Sequence, residues 1–369
     1  MKYLFIVQGE GRGHMTQAIT LEKMLRKNGH EVVGIMVGTS ATRKIPEFFL
    51  RTVKAPVSEY TSMNFRPSHK NRKPNMVGTV LYNVFAFVKY FPSIRQIRKT
   101  AIASKADVVV NFYELLVGLA YMGRRLKVPC VSIGHQYLFL HKEFGLPLVK
   151  YPGHEGLNML SRINSYGSCK LLALSFNHLP DDPYRKIRVV PPLLRPEVLA
   201  MRNSDGTDGP SLSRGEYILG YMLNPGFADE VEEWHRRHPD VSLRFFWDKW
   251  SEGPEKRIDD TLSFYLIDDR EFLRQMAGCG AYASTAGFES VCEAMYLGKP
   301  ILMVPSHIEQ EINAFDATRN GAGISAKRFD LSSLIEFSRT YHKNEKFIEW
   351  VNSAEKIILK ELTEDIRRK

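Results

Sequence analysis

Residues 284–323 read STAGFESVCEAMYLGKPILMVPSHIEQEINAFDATRNGAG, and the fold is decided there. Ser284, Thr285 and Gly287 open a helix with Ala294, Met295 and Leu297 on its apolar side; Gly298 and Lys299-Pro300 stop it. Residues 301–304 are a continuous apolar run of parallel-strand length, ended by Pro305. A second helix starts at about Ser306 and carries Gln310, Asn313 and Ala314. Helix, turn, buried strand, loop, helix is the grammar of an open α/β sheet. Ligands of such sheets sit at the carboxyl ends of strands, against helix N-termini. The small and polar residues of this stretch fall there. Gly287 lets a diphosphate approach the backbone, facing free N–H groups and the positive end of the helix dipole. Glu293, two turns down, can accept hydrogen bonds from a ribose diol, and Glu309 and Gln310 can read sugar hydroxyls. Each acid alone also has a structural reading. An acid in an early turn complements the dipole, and Ser306-x-x-Glu309 spells a capping box. Glu289 has no such box, because Ala286 stands where the capping Ser or Thr would be. Glu289 and Glu293 are four apart and share a helix face, so the joint spacing favours a ligand.

The same pattern resembles the donor-site signature of GT-B glycosyltransferases. It comprises Ser284-x-x-Gly287, Glu293 six residues after that Gly, Gly298-Lys299-Pro300, the strand ending in Pro305, and Glu309-Gln310-x-x-Asn313-Ala314. The resemblance is to the inverting branch that includes the peptidoglycan lipid-intermediate N-acetylglucosaminyltransferase, plant galactolipid synthases and UDP-glucosyltransferases. It implies that Glu293 holds the nucleotide ribose and Gln310 contacts the donor sugar. Ser284, Thr285, Ala286, Gly287, Glu289 and Glu309 complete that donor site. It also implies a nucleotide-sugar co-substrate, a UDP-sugar, with no further cofactor and no obligatory metal.

The 369 residues, 44% hydrophobic and 25% charged, exceed what one core usually supports, so two domains are expected. The formal charge of +10 suits nucleic acid, an anionic membrane or phosphorylated substrates without choosing among them. Cys130, Cys169, Cys279 and Cys292 are scattered with no C-x-x-C, which suits a reducing cytosol and suggests neither zinc nor a disulfide framework. The opening MKYLFIVQGEG has too short an apolar run for a signal peptide, and no window of 18 apolar residues spans a membrane. A cytoplasmic protein, peripheral on the inner face of a membrane, is expected.

Residues 3–7 form an apolar strand that runs into Gln8-Gly-Glu-Gly-Arg-Gly-His14. A helix with Ala18, Leu21 and Leu25 inward then ends at Asn28-Gly29, and residues 32–37 are the next strand. This strand, glycine loop, helix, strand unit opens a doubly wound sheet. The glycines alternate instead of following G-x-G-x-x-G, and Gly38-Thr39-Ser40 stands where an acid would end the second strand. Both features disfavour a dehydrogenase-type dinucleotide fold. The loop again resembles the GT-B amino-terminal loop. There Gly11, Arg12 and Gly13 face the acceptor, and His14 is the candidate general base, with Glu10 a second candidate. A helix N-terminus disfavours imidazolium, which keeps the ring able to take a proton near neutral pH. The competing reading makes His14 a helix cap bonded to backbone.

Residues 64–73 (NFRPSHKNRK) are a basic loop and residues 79–91 (TVLYNVFAFVKYF) an apolar, aromatic run followed by Arg95, Arg98 and Lys99. They read either as a face that lies on an anionic membrane and admits a lipid-linked acceptor, or as a core helix flanked by solvated cations. Strands at 106–111 and 128–133 end in Glu114 and in His135-Gln136, which are acceptor-side candidates. Residues 170–176 and 187–190 close the first sheet. Residues 201–216, rich in Asp, Gly and Ser, read as a linker. A second α/β unit follows, with strands at 217–223, 243–247 and 262–266 and a helix at 228–237. The resemblance places Gly226 under the donor diphosphate and Ile267 against the base. Asp268-Asp269 reads as an N-cap pair in preference to a metal site.

The expectation is therefore α/β: two Rossmann-like domains facing across a cleft, the GT-B arrangement. The acceptor domain is 1–200 and the nucleotide-sugar domain 217–345, with a helix at 346–369 packing back on the first. The activity implied is sugar transfer from the nucleotide sugar to an acceptor hydroxyl, lipid-linked or of the cell envelope, with inversion. Alternatives of other kinds are a nucleotide-sugar 2-epimerase and a non-catalytic sugar or lipid-head-group binder. No recognition motif for nucleic acid is present.

Overall fold

Strand β1 (Lys2–Gln8) is apolar on both faces because both are covered, and residues 3–7 are all buried. The computed structural model describes residues 1–40, 44–63, 87–122, 126–147, 151, 153–204, 217–222, 225–364 and 366. They divide into two units. One takes the described residues up to Arg195 together with Trp350 onward, and the other takes Pro196–Glu349.

In the first unit β1 is joined by β2 (Glu31–Thr39), β3 (Val57–Thr61), β4 (Val108–Phe112), β5 (Cys130–Gly134), β6 (Ser168–Leu174) and β7 (Ile187–Val190). The order is β3-β2-β1-β4-β5-β6-β7, and every pairing is parallel. Phe5 lies opposite Ile35 on one side and Val110 on the other. The chain moves outward from β1 to β3 and then returns to the other side of β1 as β4. That reversal puts the topological switch point between β1 and β4, at their carboxyl ends. The helix Arg12–Lys27 buries Ala18, Leu21 and Leu25 and ends at Asn28-Gly29, with Gly29 left-handed at φ 76°.

The second unit repeats the plan with β8 (Ile218–Met222), β9 (Leu243–Trp247), β10 (Glu255–Arg257), β11 (Leu262–Leu266), β12 (Ala281–Ser284), β13 (Ile301–Met303) and β14 (Gly323–Ser325). Their order is β10-β11-β9-β8-β12-β13-β14, parallel except for β10 on β11. The switch point lies between β8 and β12. The strand period of two sorts the aromatics. Phe245 and Trp247 join one core with Ala281, Ala283, Leu331 and Leu334, while Phe246 faces Tyr265 and Phe272 on the other side.

Several elements differ from the sequence expectation. Ser284 is the last residue of β12, not the opener of a helix. β12, Ala-Tyr-Ala-Ser, is too short for a periodic pattern to mark it. β3, β10 and β14 are edge strands of three to five residues. Residues 201–204 are helical, within Pro196–Ser204, so the expected linker cannot begin at 201. The rest of it, 205–216, lies outside the described residues, as do the basic loop 64–73 and residues 79–86 of the apolar run. The chain's end folds as three helices, Leu331–Ser338, Glu345–Asn352 and Ala354–Thr363. The last lies on the first unit. Tyr3 Oη donates to the Leu362 carbonyl at 3.0 Å, and Lys170 Nζ meets Glu361 Oε2 at 2.9 Å. No helix among the described residues is long and apolar enough to cross a membrane.

Candidate functional site

In the second unit the switch point is walled by the loop leaving β12. Ser284 is fully buried, and its hydroxyl accepts the Ala286 N–H at 3.2 Å. Ala286 is the left-handed residue, at φ 63°, and is fully buried. Gly287 follows at an ordinary φ of −66° as N-cap of the helix Phe288–Tyr296, with no side-chain cap. A Cβ on Gly287 would meet only Ser290 Oγ, at 3.7 Å. Neither the backbone nor, among the described residues, a neighbouring atom therefore requires glycine at 287. The left-handed residue of this loop is Ala286, one residue before the glycine.

Glu293 is 2% exposed on that helix, and Glu289, one turn before it, is half-buried in the first turn. Gly298 is left-handed at φ 69° and ends the helix, with Lys299 N–H reaching back to the Ala294 carbonyl at 2.9 Å.

The loop after β13 is tied to the loop after β12. Gln310 Oε1 accepts the Ser306 N–H at 2.9 Å and its hydroxyl at 2.7 Å, while Gln310 Nε2 lies 3.5 Å from Thr285 Oγ1. Asn313, one turn on, donates from Nδ2 to the Ala286 carbonyl at 3.2 Å. The capping box read at Ser306 and Glu309 does not form. The helix is Ile308–Arg319, its N-cap is His307, and the Ser306 hydroxyl is bound to Gln310 instead. Glu309 is a half-buried acid in the first turn. Burial lowers the His307 pKa, opposed by the charges of Glu309 and Glu311.

Gly226 is exposed in the turn Pro225–Phe227 that follows β8. Ile267 is half-buried just past β11, its N–H bonded to the Trp247 carbonyl at 3.2 Å. Asp268 caps the helix Asp269–Gly278, accepting the N–H groups of Arg270 at 3.1 Å and Glu271 at 2.8 Å.

In the first unit the switch-point loops are 9–11 and 113–114. A Cβ on Gly9 would fall 2.2 Å from the Gly38 carbonyl oxygen, so this glycine serves strand packing. Gly11 is the N-cap of Arg12–Lys27, and Arg12, Gly13 and His14 make the first turn. His14 is thus inside the helix, and the cap reading is set aside. Its Nδ1 lies 3.4 Å from Gln17 Oε1, and its ring stacks on Tyr113 with centroids 5.6 Å apart and planes at 22°. Tyr113 is left-handed at φ 56°, and its hydroxyl bonds Ser161 Oγ at 2.7 Å. The Arg12 guanidinium lies over the Phe48 ring, 5.5 Å from its centroid.

Glu114 is buried, with both carboxyl oxygens taking the Ser62 hydroxyl at 2.8 Å and Oε1 taking the Leu116 N–H at 3.1 Å. Burial, aided by the charge of half-buried Glu10, raises its pKa to about 7 against those hydrogen bonds. His135 and Gln136, expected on the acceptor side, are also buried. His135 is a core residue: its Nδ1 bonds the Leu174 carbonyl at 2.7 Å and its ring meets Phe139 and Phe176 edge-on. The turn His135–Leu140 folds inward after β5 and carries both side chains with it. Tyr113, Ser62 and Asn313 carry contacts that sequence reasoning did not assign. An aromatic residue directly after a strand at the switch point was the available signal for Tyr113.

Two parallel-sheet α/β units, each with its polar residues at a switch point, define a GT-B-type protein. The sequence model of glycosyl transferase family 1 matches residues 1–340, and the chain belongs to that family. Among solved structures, a UDP-glucosyltransferase from Polygonum tinctorium capable of glucosylating indoxyl superposes with a TM-score of 0.65 at 17% identity, covering 100% of this chain and 99% of that one. Phytolacca americana UGT2, complexed with UDP-2-fluoro-glucose and pterostilbene, gives 0.61 at 13%, covering 98% and 99%. A curated relative, mogroside IIIx synthase of Siraitia grosvenorii, is 31% identical over 90 residues, which is 24% of this chain and only 17% of that protein. A second protein of that name is 45% identical over 49 residues, 13% of this chain and 11% of its own length.

Proposed function

We propose that this protein transfers a sugar from a UDP-sugar to an acceptor hydroxyl, with inversion at the anomeric carbon. Family membership supports sugar transfer, and the solved relative bound to UDP-2-fluoro-glucose supports the donor class. The observation that carries the donor assignment is the loop after β12. The helix Phe288–Tyr296 starts from Gly287 with no side-chain cap, a Cβ at 287 would meet only Ser290 Oγ at 3.7 Å among the described residues, and Glu293 is buried on the same helix.

In this reading the diphosphate lies at the N-terminus of Phe288–Tyr296, where amides and dipole meet its charge. Glu293 takes the ribose hydroxyls, Ile267 lies against the base, and Glu309 and Gln310 take the sugar. Thr285 and Ser284 shape the loop, and Gly226 closes it from the β8 side. The second unit holds the donor, and the first supplies the base. His14 Nε2 accepts the acceptor hydroxyl's proton while Nδ1 faces Gln17. Glu10, Gly11, Arg12 and Gly13 border that acceptor. Because amides and dipole meet the diphosphate charge, transfer is expected to persist in EDTA.

The acceptor is proposed to be lipid-linked, on the inner face of a cell-envelope membrane, in the manner of the lipid-intermediate transferases. Exposed Val88 (72%) and Phe91 (47%), beside exposed Lys89 and Arg95, support a surface-seeking face. A thermal-shift screen of nucleotides and nucleotide sugars tests the donor, since a ligand bound only to the native state raises the melting temperature. UDP and a UDP-sugar are expected to raise it. No shift with any nucleoside diphosphate would remove the proposal.

A further inference from the structure

We infer that Asn313 is a positioning residue that aims the Gly287 amide at the donor diphosphate. This rests on the donor reading above and adds a residue that reading does not use. Asn313 is 3% exposed, and its Nδ2 donates to the carbonyl of Ala286. Ala286 is held at φ 63°, a conformation that costs a non-glycine residue free energy and persists only where neighbours enforce it. Two neighbours do so. The Ser284 hydroxyl takes the Ala286 N–H, and Asn313 takes the Ala286 carbonyl, so the residue is gripped at both ends.

The peptide plane gives the consequence. In a trans peptide the C=O of one residue and the N–H of the next point in opposite directions. The structure has no cis peptide bonds among the described residues. Fixing the Ala286 carbonyl on Asn313 therefore turns the Gly287 N–H away from Asn313. Among the described residues a Cβ on Gly287 would meet only Ser290 Oγ, at 3.7 Å, so the loop is open around the residue whose amide is turned. Asn313 Oδ1 is buried and accepts no hydrogen bond among the described residues. An unsatisfied buried acceptor is costly, and a fold that needed only packing at 313 would do better with an apolar residue. Among the described residues the Asn313 side chain makes one hydrogen bond, the one its amide donates to Ala286. Gln310, one turn earlier on the same helix, adds a second tie through Thr285, so the helix Ile308–Arg319 carries the clamp.

The test uses Asn313→Leu, close to Asn in shape, which removes the donor and also the orphaned acceptor. Calorimetric titration with UDP and with uridine is read beside thermal melting. The melting temperature should hold or rise. UDP affinity should fall about ten-fold or more, the scale of a lost hydrogen bond to a charged group, while uridine stays within about two-fold. The double variant Asn313→Leu/Ala286→Gly guards against loss of folding, because glycine adopts the left-handed region without strain. It should fold and remain weak for UDP. Unchanged UDP affinity in Asn313→Leu overturns the inference. So does recovery of UDP affinity in the double variant, equal loss for uridine, or a double variant that still does not fold, since the bond then serves the fold alone. If the wild-type protein binds no UDP, the donor reading fails first, and that outcome is distinct.

Discussion

His14 and Glu114 occupy the same end of the first sheet and do different work. His14 stands in the first helical turn with its ring on Tyr113, and its Nδ1 side is turned to Gln17. The proposed proton acceptor is Nε2. His14→Ala is expected to lower kcat by about 10²–10⁴, the usual worth of a positioned base, with the donor KM little changed. Steady-state kinetics against donor concentration checks it, and an unchanged kcat removes the base assignment. Glu114 carries a signed pH effect. Its pKa rises on folding from 4.5 to about 7 because burial disfavours the charge. Between those values the native state holds a proton that the unfolded chain releases, so stability falls as pH rises from 4.5 to about 7. Below that window the group is protonated in both states and contributes no slope. Glu114→Gln keeps an acceptor for Ser62 and Leu116 and should flatten the decline, read by urea melts at pH values across the window.

The elements show why the site is precise in some places and accommodating in others. The helix Leu115–Tyr121 crosses His154–Asn164 so closely at Gly118 that a Cβ would lie 1.8 Å from the Ile163 carbonyl oxygen. That neighbour is backbone and cannot swing aside. Gly118→Ala is therefore expected to destabilise by about 3 kcal/mol, the upper range for overpacking, measured by chemical denaturation. Among the described residues Gly287→Ala meets no such neighbour. It should leave stability nearly unchanged and weaken the nucleotide diphosphate instead, which a melt and a titration on one sample would separate. A loss of stability as large as that of Gly118→Ala would show that glycine at 287 serves the fold. Periodicity made the long elements legible: residues 228–237 and 243–247 were read at the bounds the structure gives for Ala228–Arg237 and β9. It failed where strands are short. β12 has four residues and β14 three, too few for a period of two to register; of β12 only Ser284 is assigned from sequence, and to the helix after it.

At the scale of the molecule, sequence carried the class further than the contacts. The forty-residue spacing from Ser284 to Gly323 pointed to GT-B, and the match of glycosyl transferase family 1 over residues 1–340 puts the chain in that family. What the sequence left hidden is contact made across loops: Asn313 on Ala286, Gln310 on Ser306, His14 on Tyr113. Each pairs residues of different spans or replaces a local cap by a longer reach, and no local pattern encodes that choice. The net charge of +10 and the exposed Val88 and Phe91 bear on where the protein works. Co-sedimentation with anionic vesicles should be strong at low salt and weaken as salt screens the lysines and arginines, while neutral vesicles bind little. Equal binding to both would argue against a charged lipid surface.

The buried carboxylate behind the proposed diphosphate cradle is the point on which the donor assignment turns. Calorimetric titration of UDP and of its 2′,3′-dideoxy analogue into wild-type protein and Glu293→Gln gives four affinities that form a closed cycle. Removing either the ribose hydroxyls or the charge should cost about ten-fold, and removing both should cost little more than either alone. Wild-type protein that does not distinguish UDP from the dideoxy analogue, or a Glu293→Gln variant that binds UDP as tightly as wild type, would contradict the assignment.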